Sequence, residues 1–212
     1  MKILLTVRVG LTVAKEPEEF QGAFGALWTD SESFAVNGKQ IAVGTGILLR
    51  KHDVIEQAET RTSDAILYTL SNATDAAAVN VDSDDFAALD VPSGPTLLRL
   101  DQVTFPPGAT AYRHVHSGGG FRALVSGELE VNGDDHSNVM HTGDAWFEPA
   151  NTPVRAVASQ KFDKTRFIRF MVLPVDYHAK PSIKILDEAD ALKPRLQTTH
   201  RFFDEIIQLD EG

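Results

Sequence analysis

The sequence predicts an all-β protein, and three observations carry that expectation: short apolar runs rich in Val, Ile, Leu and Phe, breaks at Gly, Asn, Asp and Pro spaced as in antiparallel sheets, and an internal repeat. Gly38, Gly44, Gly108, Gly127, Gly133 and Gly143 punctuate the runs. The Val-Asn-Gly steps at 36–38 and 131–133 have the side-chain chemistry that hairpin turns require, so a hairpin is expected at each.

The repeat sets the architecture. One copy starts at Phe24-Gly-Ala-Leu-Trp, passes Val36-Asn-Gly and Thr45-Gly46, and closes on Ala65-Ile-Leu-Tyr-Thr-Leu70. The other starts at Phe121-Arg-Ala-Leu-Val, passes Val131-Asn-Gly and Thr142-Gly143, and closes on Phe167-Ile-Arg-Phe-Met-Val172. Phe121 follows Phe24, and Gly143 follows Gly46, at an offset of 97, whereas Asn132 follows Asn37 at 95, so two residues differ in one hairpin. The first copy has no histidine before His52 and is short upstream of Phe24. It reads as structural, without a counterpart of the strand that carries His114.

The expected organisation is therefore a degenerate first β domain over 1–72, a linker over 73–94, a barrel carrying the site over 95–180, and a helical segment over 181–212. The linker is read from the Ala, Asp, Asn and Ser of 71–95, including Asp82, Asp84 and Asp85, which lack periodic hydrophobicity. The helix is read from Asp187 onward, where Phe202, Phe203, Ile206 and Ile207 recur at a three-to-four spacing.

A formal charge of −10 opposes binding to a phosphate backbone, and nucleic acid is not an expected partner. Cysteine is absent, which removes disulfides, thiolate ligands and cysteine nucleophiles together. Residues 1–14 read as a first strand because Arg8 interrupts the apolar run, with an export signal as the alternative. No stretch approaches the roughly 18 to 20 apolar residues of a membrane span. A soluble, cytoplasmic protein is expected.

The chemistry is concentrated between Pro107 and Gly127. Alternate side chains of a strand point to opposite faces, so His114 and His116 project together while Arg113 and Val115 face away. Two neutral imidazoles on an inner face suit a divalent ion when carboxylates complete the set. Two surface or hydrogen-bonded histidines are the plainer alternative.

The surroundings of the pair resemble the cupin superfamily. Its first motif runs Gly, five residues, His-x-His, three or four residues, Glu, six residues, Gly, and Gly108, His114, His116 and Gly127 fall at that spacing. Its second, Gly, five residues, Pro, one residue, Gly, two residues, His, is matched by Gly143 and Pro149, with Asn151 in the glycine place. Gly120 stands where the motif's glutamate would be and Val154 where its last histidine would be. Glu148 and His141 are the nearest substitute ligands and Glu130 a weaker one; a solvated strand end and an exposed strand histidine are the competing readings of the first two.

The resemblance implies a jelly-roll antiparallel barrel, here in two cupin-like copies, with Fe, Mn, Ni or Zn at the histidine pair. Arg122 shares the inward alternation and requires an anion, either a carboxylate or phosphate of a substrate or an internal partner, Glu148, Glu130 or Asp101. Tyr112, Trp146 and Phe147 are pocket-wall candidates, with core packing as the alternative. The leading expectation is a metal-dependent enzyme of oxygenase type acting on a small anionic organic molecule, ligated by His114, His116 and Glu148 or His141. The alternatives are a non-catalytic ligand-binding or structural cupin without metal, and a metal-free isomerase using His116 with Tyr112. A homodimer is expected from exposed-looking Phe202 and Phe203.

Overall fold

The computed structural model describes residues 1–10, 16–31, 33–57, 65–72 and 85–209 and divides the chain into two units: Met1–Gly94, joined by the chain end from Leu209, and Pro95–Gln208. Nearly every described element is an antiparallel strand. In the first unit one sheet has the order β6 (Thr45–Arg50), β3 (Phe24–Thr29), β8 (Ala65–Asn72), β1 (Lys2–Val9), β9 (Asp85–Asp90). The other runs β2 (Glu18–Glu19), β7 (Val54–Gln57), β4 (Phe34–Val36), β5 (Lys39–Gln40). Leu27, Phe34, Leu49 and Ile55 from the two sheets, with Phe20 just after β2, form one apolar core.

The second unit repeats the plan. Its first sheet is β15 (Ala145–Glu148), β12 (Gly120–Ser126), β17 (Thr165–Leu173), β10 (Gly94–Phe105), β19 (Thr198–Leu209). Its second is β14 (Ser137–His141), β13 (Glu128–Asn132), β16 (Val154–Ala158), β11 (Thr110–His116), β18 (Ile183–Ile185). Strand for strand the two orders correspond, and among the described residues only β18 has no partner in the first unit. The pairings agree as well: Phe24 lies opposite Arg50 and Leu70, and Phe121 opposite Phe147 and Phe170. Two cupin-like copies are thus present, as the repeat predicts. The place of β11 is taken in the first copy by the two exposed residues of β2, a remnant without histidine.

Both expected hairpins form. Asn37 and Gly38, with φ of 51° and 73°, make a two-residue turn between Val36 and Lys39, the left-handed geometry that an Asn-Gly step tolerates best. In the second copy Asn132 pairs with Ser137, leaving 133–136 as the loop, and these two extra residues account for the change of offset.

Two expectations are corrected. Part of the expected linker, Asp85–Asp90, is strand β9 on the edge of the first sheet beside β1; 73–84 lie outside the described residues. Its side chains are mostly exposed, so backbone pairing rather than an apolar pattern makes it a strand. The helix begun at Asp187 lasts one turn, α1 (Glu188–Ala191), capped by the Asp187 carboxylate accepting from the Asp190 N–H at 3.0 Å. Phe202, Phe203, Ile206 and Ile207 belong instead to β19: the helical spacing is ambiguous over so short a window, and the free edge of β10 supplies backbone partners for a strand.

The core of the second unit draws Val103, Phe105, Leu124, Leu129, Val131, Trp146, Val154 and Phe167 from both sheets. Phe105→Ala should lower unfolding free energy by about 3–5 kcal/mol, whereas Phe86→Ala, on exposed β9, should stay within about 0.5 kcal/mol of the parent. Urea denaturation followed by circular dichroism measures both; equal effects would contradict the placement of the core.

Candidate ligand site in the second barrel

Between the sheets of the second unit lies a cavity of about 310 Å³. Its apolar wall includes Val103, Phe105, Leu129, Trp146 and Phe167, and its polar wall is made largely by His114, His116 and arginines. His114 and His116 project inward from β11, 5% and 4% exposed, with ring centroids 4.9 Å apart and planes nearly perpendicular.

The strand that carries them is irregular. Ala111 lies opposite Ala156 but His114 opposite Val154, so β11 holds one extra residue there. This bulge puts Ala111 and His114 both on the cavity side and turns Tyr112 out. The Tyr112 ring instead lies beneath the Lys193 ammonium, 5.2 Å from its centroid, and the tyrosine is not a wall of the cavity. Strict alternation misassigned it.

Each imidazole has a defined tautomer. The Tyr112 carbonyl can only accept, so His114 donates from Nδ1 at 2.6 Å and keeps a lone pair on Nε2. Arg169 can only donate, so His116 accepts on Nε2 from Nη1 at 3.2 Å. His116 Nδ1 then donates to the Ser182 hydroxyl at 3.3 Å, which in turn donates to the Met171 sulfur at 3.8 Å. Burial, then the nearby charges of Arg169 and Arg122, hold the His116 pKa well below its ordinary 6.5. Burial also lowers that of His114, opposed by the Tyr112 carbonyl and Glu148.

Arg169 clasps Asp101 with Nε at 2.9 Å and Nη2 at 2.8 Å. Arg122 pairs with Glu148 at 2.8 Å and donates to the Gly120 carbonyl, so of its three internal candidates Glu148 is the partner. Glu148 also accepts the Trp146 indole N–H at 2.9 Å. Arg99 holds Asp204 of β19, which Arg201 shares at 2.9 Å. Arg195 reaches the cavity with no acidic partner among the described residues.

His141 does not join the site. It sits on edge strand β14, 63% exposed, 3.7 Å from Glu128, because its alternation there faces outward. Glu130 is exposed and bound to Asn132, and Phe147 packs on Phe121. Gly120 cannot be exchanged for the motif's glutamate without backbone movement, since a Cβ there would meet the Phe170 carbonyl of β17. Val154 is core. Asn151 has φ of 59°, a conformation that the motif's glycine also suits, and donates its N–H to the His116 carbonyl at 2.8 Å.

Among the described residues no three His, Asp or Glu side chains converge as a metal cage. The donor chemistry agrees: the cavity carboxylates Asp101 and Glu148 are bound by guanidinium groups, and one of the two imidazole lone pairs is taken by Arg169. As arranged, the residues do not fit a divalent ion.

Sequence reasoning missed Arg169, Arg99, Arg195, Arg201 and Ser182 as parts of the site. A signal for two of them was present, a charged residue inside an otherwise apolar strand run, as in Leu97-Leu-Arg99-Leu and Phe167-Ile-Arg169-Phe.

Neutral burial of both imidazoles has a sign. The unfolded chain takes up histidine protons near pH 6.5 while the folded site does so only at lower pH, so stability is full above that value and falls as pH drops below it. The urea midpoint should decline from pH 7 to about pH 5, and less steeply in His116→Gln. Parallel curves for parent and variant would contradict the neutral tautomer.

Residues 101–164 match the family model described as a cupin domain. Of solved structures, AerE from Microcystis aeruginosa aligns over 82% of this chain and 88% of its own at 11% identity, with a TM-score of 0.52. KdgF from a Halomonas species aligns over 46% and 94%, at 25% identity and a TM-score of 0.34. An RmlC-like cupin from Shewanella frigidimarina aligns over 41% and 83%, at 24% identity and a TM-score of 0.34. No curated protein matches. The motif spacing, the paired sheets and the family match together identify a cupin domain in the second barrel of this chain.

Proposed function

We propose that the second barrel binds a small organic anion, a carboxylate or phosphate on an apolar body, without a metal. The carrying observation is charge. The cavity is lined by Arg99, Arg122, Arg169, Arg195 and Arg201 against only Asp101 and Glu148, in a chain whose formal charge is −10. Adding Asp204 still leaves the cluster with more guanidinium groups than acids. Guanidinium forks recognise carboxylates and phosphates through paired N–H donors, and the apolar wall suits the rest of such a molecule.

The oxygenase chemistry implied by the resemblance requires a third protein donor beside the two imidazoles, and the nearby carboxylates are engaged by Arg122 and Arg169. His116 with Tyr112, the pair expected for metal-free isomerisation, is divided by the bulge. His114 supports a revised form of that reading: its Nε2 lone pair makes it the proton acceptor for a ligand bound in the cavity.

Calorimetric titration with small aliphatic and aromatic acids, sugar phosphates and their neutral amides or alcohols tests the binding. Acids should bind and neutral counterparts should not. Losing one charged hydrogen-bond donor is worth about 1.5–3 kcal/mol, so Arg195→Ala should weaken binding roughly ten- to hundredfold. Equal affinity for acids and amides would sink the proposal. For proton transfer the readout is deuterium entering a bound acid from solvent; it should vanish in His114→Gln while binding persists, and unchanged incorporation would remove His114 as the base.

A further inference from the structure

The histidine pair has the spacing of a metal motif, yet a guanidinium group stands against it. Arg169 approaches His116 Nε2 at 3.2 Å, the nitrogen left over once Nδ1 has met Ser182. The same guanidinium binds both oxygens of Asp101, at 2.9 and 2.8 Å. A two-histidine, one-carboxylate ion site built from His114, His116 and Asp101 would need that lone pair and that carboxylate. Arginine does not deprotonate in proteins, so raising the pH releases neither group. Arg122, opposite Arg169 across the strand pair, adds a second positive charge to the same cavity.

We infer that Arg169 takes the place of a divalent ion in this barrel: a fixed cation that joins the His116 imidazole to the Asp101 carboxylate and excludes metal. The three groups that would ligate are all present and buried, at 5%, 4% and 1% exposure. As placed they do not converge as a metal cage, and Arg169 stands between the two, His116 and Asp101, that an ion would join. This inference concerns the built-in cation alone and stands whichever molecule the cavity receives.

Cobalt(II) titration, read by visible absorption and by metal content after dialysis, tests it on the full chain with no organic ligand added. Arg169→Ser removes the cation, and Arg169→Gln removes it while keeping an amide N–H for Asp101, so that the fold survives if the serine variant leaves the carboxylate too exposed. The parent should retain almost no cobalt. A folded variant should retain close to one ion per chain, at roughly a hundredfold higher affinity, and lose it when His116→Ala is added. His116-dependent cobalt in the parent would overturn the inference, and so would folded Arg169 variants that stay metal-free. Failure of anion binding would leave this result untouched, and the reverse holds as well.

Discussion

Asp101 on β10 lies opposite Arg169 on β17, and Arg169 lies opposite Arg122 on β12. Three charged side chains thus form a row across neighbouring strands at exposures of 1%, 8% and 1%. Taking an ion out of water costs several kcal/mol even after relaxation, so each member must be matched. Matching then dictates the surroundings: Asp101 is clasped by Arg169, Arg122 takes Glu148 across the sheet, and Glu148 takes the Trp146 N–H. Arg99, two residues before Asp101, requires Asp204 and so ties β19 to the sheet. Charge satisfaction organises this interior alongside apolar packing, and the His116 tautomer is one of its consequences.

The first copy shows what the same topology does without that row. Gly25 stands 97 residues before Arg122, and at its register Thr69 lies opposite Gly25 and Thr6 opposite Thr69. Small neutral residues therefore hold the places of Arg122, Arg169 and Asp101. The Phe20 ring occupies the space that a side chain at Gly25 would need, and Phe20 is part of the apolar core. With β2 two residues long and no histidine on it, this copy sets the Phe20 ring against Gly25 where the other carries Arg122.

The fold and the histidine pair were legible because they rest on short-range rules: strand alternation, Asn-Gly turns and motif spacing all act within a few residues. Arg122 was also legible, although only the register of β12 against β15 selected Glu148 as its partner. Tyr112 was misread because a bulge breaks alternation without leaving a sequence mark. β19 was misread because Phe202, Phe203, Ile206 and Ile207 satisfy a helical period, while the decisive factor, an open edge on β10, lies a hundred residues away in the chain. Arg169 was hidden for a similar reason. Its run reads as an apolar strand, and its meaning appears only when β10 and β11 deliver Asp101 and His116 to it.

Buried ion pairs of this kind are weak sources of stability. Replacing them with well-packed apolar groups is often neutral or stabilising by roughly 1–4 kcal/mol. The first copy demonstrates, within one chain, that these strands close around Gly25, Thr69 and Thr6 without any charge at those positions. The charged row is therefore not what the topology requires. Like charges directly opposite each other, as Arg122 and Arg169 are, oppose folding. Their retention together, beside an open cavity and an imidazole whose Nε2 lone pair is uncommitted, is understandable if the cations serve what enters the cavity. An arriving anion would find donors already fixed by Asp101 and Glu148, with little reorganisation left to oppose binding.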